Sequence, residues 1–147
     1  MTSPARWRLA GVMPALYELT NPIPFGMFVA ALVFDTLYFK TAEILWSKSA
    51  AWLITVGLLF AILPRLINLV YVWGPIGRPA SFGDRLEFWL AGFGIVAAIL
   101  NAFIHSRDAY AVMPSGLYLS AITVVLMGIG RLVVHPHLVS RTEAQNA

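Results

Sequence analysis

The chain has 147 residues, of which 59% are hydrophobic and only 12% are charged. A soluble domain cannot cover that much apolar surface with so little charge, so the composition excludes a soluble globular protein and indicates a small integral membrane protein. The absence of cysteine excludes disulfides, thiolate metal sites and cysteine nucleophiles. The net charge of +3 does not indicate nucleic-acid binding, because Lys and Arg collect at the cytoplasmic rim of membrane proteins.

Four apolar stretches approach the roughly 20 residues that a helix needs to cross a hydrocarbon core. Asn21 is predicted to cap the first helix and Pro22 to open it. Asp84 is predicted to cap the third helix while Glu87 reaches back to the cap. The fold class is therefore all-α, an integral membrane four-helix bundle. Its predicted spans are 22–39, 50–72, 86–105 and 114–134.

The segments outside these spans are short. Residues 1–21 are partly amphipathic and suit the membrane interface, and they lack the continuous apolar run of a cleaved signal peptide. The linker 73–83 is rich in glycine and proline and is predicted to be an irregular loop. Pro136 is predicted to stop the fourth span, which leaves 135–147 as a tail.

Basic residues predict the orientation of the bundle. Four spans place both termini on one side, and that side has more Lys and Arg than the other, so both termini are predicted to be cytoplasmic in a bacterial plasma membrane. The basic residues on the side of the termini are Arg6, Arg8, Arg78, Arg85 and Arg141, and those on the other side are Lys40, Lys48 and Arg107.

The two halves of the chain are related by a weak repeat. A shift of 66 positions aligns Asp35 with Asn101 and Arg65 with Arg131. Identity at this offset is little above chance, so duplication into two repeated helical hairpins and coincidence stay open as alternatives. A true repeat would have its pseudo-symmetry axis along the membrane normal.

Polar residues inside the spans are few, and a charge near the bilayer centre costs on the order of 2.5–3.5 kcal/mol. The third helix has one face of small residues that becomes polar toward its end, so it should point into the bundle and set Asn101 and His105 opposite Asp35. The members of this predicted polar cluster are Asp35, Asn101, His105, Arg107 and Asp108.

Two interpretations of this cluster stay open. The first is a hydrogen-bonded latch that fixes helix register, because buried polar groups must be paired whether or not they have another role. The second is proton handling or quinone binding, because a histidine beside a carboxylate titrates near neutral pH.

A second polar group lies toward the predicted cytoplasmic end and consists of Arg65, Asn68 and Arg131. The arginines are predicted to snorkel toward lipid phosphates. Alternatively, the three residues form a pocket for an anionic lipid head group or another anion. His135 and His137 follow nearby, but a histidine pair without a third ligand is a weak metal signal.

The sequence contains no catalytic motif: nucleophile elbow, phosphate loop, HExxH and paired carboxylates are all missing. No catalytic residue, metal or cofactor is therefore predicted. Axial haem ligation by two histidines is excluded because His105 lies about 30 Å from His135 and His137, at the opposite face of the membrane.

Three segments resemble a known family: the run from Asn21 to Asp35, the segment Asn101-Ala-Phe-Ile-His-Ser-Arg-Asp108, and the segment that begins at Pro114-Ser-Gly-Leu-Tyr. They are similar to the bacterial four-pass membrane proteins grouped as domain of unknown function twenty-two thirty-one. The resemblance implies a plasma-membrane bundle without an established activity, and a faint link to periplasmic sugar dehydrogenases. Many members carry His-Pro-x-His-Pro where this chain has Asn21-Pro22 and Pro24, which weakens a metal or haem role.

The leading functional hypothesis is a non-enzymatic anchor or accessory subunit, which meets a protein partner or a second copy through small-residue helix faces. The alternative is a quinone-binding or proton-linked redox module that works with a periplasmic dehydrogenase.

Overall fold

The computed structural model describes residues 12, 15–73 and 80–146, and at 109 and 134–146 it describes the backbone alone. Arg6, Arg8 and Arg78 therefore lie outside the described residues, as do the side chains of His135, His137 and Arg141. The described chain forms four α-helices, with a 3-10 turn at Ala109–Ala111 before the last. The helices are α1 (Pro22–Thr41), α2 (Ile44–Trp73), α3 (Phe82–His105) and α4 (Ser115–Asn146).

All four helices are long and apolar enough to cross a membrane. Residues 15–20 are also helical and lead into α1, so that the first candidate span is Ala15–Thr41. The last candidate span occupies Ser115–Val133 of α4. The predicted all-α fold of four membrane-spanning helices is thereby confirmed, and the protein is a multi-pass membrane protein.

The helices pack as two hairpins. Contact is most extensive within each hairpin, between α1 and α2 and between α3 and α4. The two hairpins contact each other where α1 packs against α4 and α2 packs against α3. Chain neighbours are thus neighbours in space, as the short connections require. Large side chains such as Trp52, Phe103 and Leu132 face outward, where lipid is an apolar environment for them.

Several helix boundaries lie outside the predicted spans, most of all the start of the second helix and the end of the fourth. The second helix begins at Ile44 instead of residue 50, because Ala42 adopts a left-handed conformation (φ 55°) and its N–H bonds the Tyr38 carbonyl, which closes the hairpin within a few residues. The fourth helix continues through Pro136 to Asn146, so the predicted stop is wrong. A proline removes one backbone hydrogen bond, and helices in membranes tolerate that loss, as Pro64 within α2 also shows.

The predicted caps are also wrong. Ser81 caps α3: its side chain accepts from the Asp84 N–H while the Asp84 side chain accepts from the Ser81 N–H. Glu87 takes no part in this capping box. Asn21 has helical dihedrals and makes no capping bond, because the helical residues before it leave no free end to cap. The side chains of Asn21 and Glu87 are therefore available for contacts inside the bundle.

Buried positions agree with the repeat at an offset of 66. Five buried residues of α2 have buried counterparts in α4 at this spacing. The pairs are Ala50 with Gly116, Ile54 with Ser120, Gly57 with Thr123, Ala61 with Met127, and Pro64 with Gly130. Equivalent positions of α2 and α4 thus face the interior, although different residue types occupy them.

The middle of the interior is apolar and closely packed. Phe28, Ala98 and Met127 are buried together there. A Cβ atom added at Gly94 would lie 2.7 Å from Cγ of Met127, whereas one added at Gly92 would have no atom within 4 Å. Gly94 therefore permits the close approach of α3 and α4, and Gly92 faces away from the packed interior.

These two glycines of α3 provide a matched test of the packing. Gly94→Leu is expected to lower the free energy of unfolding by about 1–3 kcal/mol, because the added side chain overpacks the Met127 contact. Gly92→Leu is expected to change it by less than about 0.5 kcal/mol. The measurement is SDS-induced unfolding in mixed micelles, and equal losses in the two variants would contradict the packing described here.

Candidate functional site

The first polar cluster joins α1, α3 and α4 and is called the Asp35 cluster: Asp35, Asn101, His105 and Ser120. The Asp35 side chain is fully buried, and that of His105 is 1% exposed. His105 Nε2 lies 2.8 Å from Asp35 Oδ1, and the Ser120 hydroxyl donates to Asp35 Oδ2 at 2.5 Å. Asn101 Nδ2 donates in turn to Ser120 Oγ at 2.7 Å. Three helices are thus connected through one carboxyl group.

The hydrogen-bond partners limit the arrangements of protons that fit the Asp35–His105 contact. His105 Nδ1 lies 3.0 Å from the Asn101 carbonyl oxygen, which can only accept, so Nδ1 carries a hydrogen. The contact between Nε2 and Asp35 Oδ1 needs one further proton, on either atom. The pair is an imidazolium with a carboxylate or a neutral imidazole with a carboxylic acid, and in both states its net charge is zero. A neutral pair is far less costly to bury than a lone charge.

Close helix packing holds His105 in position. A Cβ atom added at Gly116 of α4 would lie 3.0 Å from His105 Cε1 and 2.8 Å from a methyl group of Val112. A side chain at Gly116 would therefore displace the imidazole ring or the helix. Asn101 Oδ1 is buried beside Gly116 and has no hydrogen-bond partner among the described residues.

Three of the five residues of the predicted cluster lie together in the structure. The structure brings together Asp35, Asn101 and His105, but Arg107 and Asp108 are exposed and are not part of it, because they follow the end of α3 at His105. Ser120 was missed. Serine is common in apolar helices, and only the tertiary fold shows that this hydroxyl faces the Asp35 carboxyl group.

The second polar cluster, at the other end of the bundle, is called the Glu87 cluster: Asn21, Arg65, Asn68, Glu87 and Arg131. Arg65 Nη2 donates to Glu87 Oε1 and to Asn21 Oδ1, both at 3.1 Å. Asn68 Nδ2 donates to Glu87 Oε2 at 2.6 Å. The side chains of Arg65 and Glu87 are 15% and 9% exposed. Both oxygens of this carboxylate are thereby bound by α2.

Arg131 completes the cluster from α4. Its guanidinium donates to the Asn21 carbonyl oxygen and lies over the Phe25 ring, 4.8 Å from the ring centroid, a favourable cation–π position. Tyr17 lies close to the same three charged side chains, Arg65, Glu87 and Arg131. The N-terminal end of α1 is therefore held between the two arginines that the repeat relates.

The prediction that Arg65 and Arg131 snorkel toward lipid phosphates is wrong. Both guanidiniums point into the bundle, because Glu87 supplies a counter-charge and Asn21 supplies two acceptor oxygens there. Glu87 was missed because its spacing from Asp84 matches a capping motif. Its place on the small-residue face of α3, which also carries Ala91, Gly94 and Asn101, is the signal that assigns it to the interior.

The two clusters form polar layers separated by apolar packing. At about 1.5 Å per residue, Asp35 and Glu87 each lie about 10 Å from the middle of their candidate spans, Ala15–Thr41 and Phe82–His105, toward opposite ends. The Phe28, Ala98 and Met127 packing lies between the two layers. The interior beside Asn101 and Ser120 has no space for a water-sized molecule. The two hydrogen-bonded layers of the described interior are thus separated by the packing of Phe28, Ala98 and Met127.

No family model, curated protein or solved structure matches the chain.

A double-mutant cycle tests the Asp35–His105 contact. Asp35→Ala, His105→Ala and the double variant are expected to give a coupling energy of about 0.6–1.7 kcal/mol in SDS-induced unfolding, the range of hydrogen bonds between membrane helices. The control cycle pairs Asp35→Ala with Arg107→Ala, and its coupling is expected to stay below about 0.5 kcal/mol. Equal coupling in both cycles would refute the assignment of the cluster.

The buried ion pair of Arg65 and Glu87 gives a second test. Glu87→Leu is expected to lower the free energy of unfolding by about 3–5 kcal/mol, because it leaves the Arg65 charge buried without its partner. The double variant Arg65→Leu/Glu87→Leu is expected to recover part of that loss, since an apolar pair leaves neither charge alone. A double variant that is less stable than Glu87→Leu would show that the ion pair does not account for the loss.

Proposed function

We propose that the protein is a non-enzymatic membrane subunit that anchors or assists another protein, in the bacterial plasma membrane and with both termini in the cytoplasm. The observation that supports this role is the closed interior of the bundle. The side chains of the Asp35 cluster and of the Glu87 cluster bond one another within each cluster, and the interior beside the Asp35 cluster has no space for a ligand. A partner protein would then bind to the outer surface of the bundle.

The outer face of α1 offers a contact point for a partner helix. Gly26 is exposed, and a Cβ atom there would have no described atom within 4 Å. Ala30 follows four residues later and is half-buried, so the two residues form a small-xxx-small pair of the kind that lets membrane helices approach closely. The small residues of α3 do not serve this purpose, because Gly94 and Ala98 are already packed inside the bundle.

The quinone-binding or proton-linked alternative has less support at the Asp35 cluster. The Asp35–His105 hydrogen bond is the observation that favours it. However, a ring cannot enter beside Asn101 and Ser120, and the apolar centre separates this cluster from the Glu87 cluster. The anchoring role is therefore the better-supported function.

Gly26→Leu tests the anchoring role. The tagged full chain is purified in digitonin, and the mass of its complex is measured with its composition. The wild-type protein is expected to yield a stoichiometric complex with a partner or a second copy, and Gly26→Leu is expected to reduce its yield at least tenfold because leucine blocks close helix approach.

Gly92→Leu is the matched control, since it makes the same change at an open position of α3 and is expected to keep the complex. A wild-type chain that migrates alone, or a complex that survives Gly26→Leu, would contradict the proposal.

A further inference from the structure

The contact between Asp35 and His105 joins two helices that do not otherwise pack together. Both α1 and α3 pack against α2 and against α4, so they lie diagonally opposite each other and this contact crosses the centre of the bundle. Its 2.8 Å distance between Nε2 and Oδ1 requires one hydrogen, because two atoms that present only lone pairs repel each other. The closed cluster therefore holds one proton more than a neutral imidazole and a carboxylate would hold together.

The surroundings of this pair favour one proton over none or two. Without the proton the pair has a charge of −1, and with a second proton it has a charge of +1. Both side chains are at most 1% exposed, and the interior beside Asn101 and Ser120 has no space for a water molecule. A net charge in such a place costs far more free energy than a neutral pair, because neither water nor a counter-ion compensates it.

The other titratable groups at this end of the bundle belong to α1, to the start of α2 and to the connection between α3 and α4. They are Tyr38, Lys40, Glu43, Lys48, Arg107, Asp108 and Tyr110. All of them except Tyr38 are exposed, and α4 faces the pair with the uncharged residues Gly116 and Ser120. Tyrosine in water is neutral, and the other residue types are charged, throughout the range from about pH 5 to pH 8. A change of protonation in this range is therefore assigned to Asp35 and His105 among the described residues of this end.

We propose that the Asp35 cluster is a proton-dependent latch that holds this end of the bundle closed and releases it as the pH rises. In the open form both side chains meet water, where histidine loses its proton at about pH 6.5 and aspartic acid at about pH 4. The open pair thus holds one proton between these values, as the closed pair does, and none at higher pH. Stability falls with rising pH wherever the closed form binds more protons than the open form, so the latch weakens above about pH 6.5.

The latch is a property of the chain alone and goes beyond the anchoring role. In the proposed orientation, with both termini in the cytoplasm, the Asp35 end faces the periplasm. The latch would then respond to the pH of that compartment.

The test measures the opening of this end in the full chain, in neutral bicelles. The chain has no cysteine, so Glu43→Cys and Arg107→Cys, at exposed positions of the two connections, can each be labelled with biotin. Two bulky streptavidin molecules bind together only when the connections separate, and the weakening of the second binding step gives the equilibrium constant for opening. With the native cluster this constant is expected to stay within about twofold from pH 5 to pH 6 and to rise about five- to tenfold from pH 7 to pH 8.

Asp35→Asn is the matched control, because it preserves both hydrogen bonds of the side chain without the shared proton. The new amide donates to a neutral His105 ring and its carbonyl oxygen accepts from Ser120. The closed variant then holds no titratable proton, whereas the open variant binds one on His105 below about pH 6.5. Its opening constant is expected to fall about five- to tenfold from pH 5 to pH 6 and to stay within about twofold from pH 7 to pH 8, the reverse of the native profile.

A second variant, Ser120→Ala, removes one hydrogen bond to Asp35 but leaves the pair with His105 in place. It is expected to open more readily at every pH and to keep the rise from pH 7 to pH 8, so it decides the question if Asp35→Asn does not fold. A native or Ser120→Ala profile without that rise, or the same profile in Asp35→Asn and the native cluster, would overturn the latch. The measurement needs no partner, so its failure is separate from the loss of a protein complex that tests the anchoring role.

Discussion

The bundle depends on the pairing of its polar side chains with one another. Lipid offers no hydrogen-bond partner, so a polar group inside the spans is costly unless it bonds to the protein itself. Asp35 meets His105 and Ser120 at one end, and Glu87 meets Arg65 and Asn68 at the other. Each carboxyl group binds at least one further helix, so the two polar layers hold the helices in register at both ends of an apolar centre.

The two layers balance their buried charges in different ways. The Asp35 layer has a carboxyl group and an imidazole that share one proton, and its net charge is zero in either arrangement. The Glu87 layer has one carboxylate with two guanidiniums, and the excess positive charge of Arg131 is bonded to the Asn21 carbonyl oxygen and lies over Phe25. The two hairpins thus repeat their pattern of buried positions, but the two polar layers contain different side chains.

The outer surface of the bundle differs from its packed interior. The interior is held by its polar layers and by the packing of Phe28, Ala98 and Met127, and it has no space for a water-sized molecule beside Asn101 and Ser120. Two glycines at the repeat spacing, Gly26 and Gly92, lie outside this packing. Gly26 lies on the exposed face of α1, and Gly92 lies in a cleft between α2 and α3 that Arg65 also lines. Equivalent positions of the two hairpins thus have different surroundings.

The fold class and the approximate spans follow from the amino-acid sequence alone, because apolar runs of membrane-crossing length leave few alternatives to helices. It also predicted the Asp35–His105 contact, since a periodic face of small and polar residues must point toward other helices. The tertiary structure decided the partners of Glu87 and Ser120 and the inward direction of Arg65. Glu87 fits a helix cap as well as an ion pair by spacing alone, and only the distance between α2 and α3 chooses between these two roles.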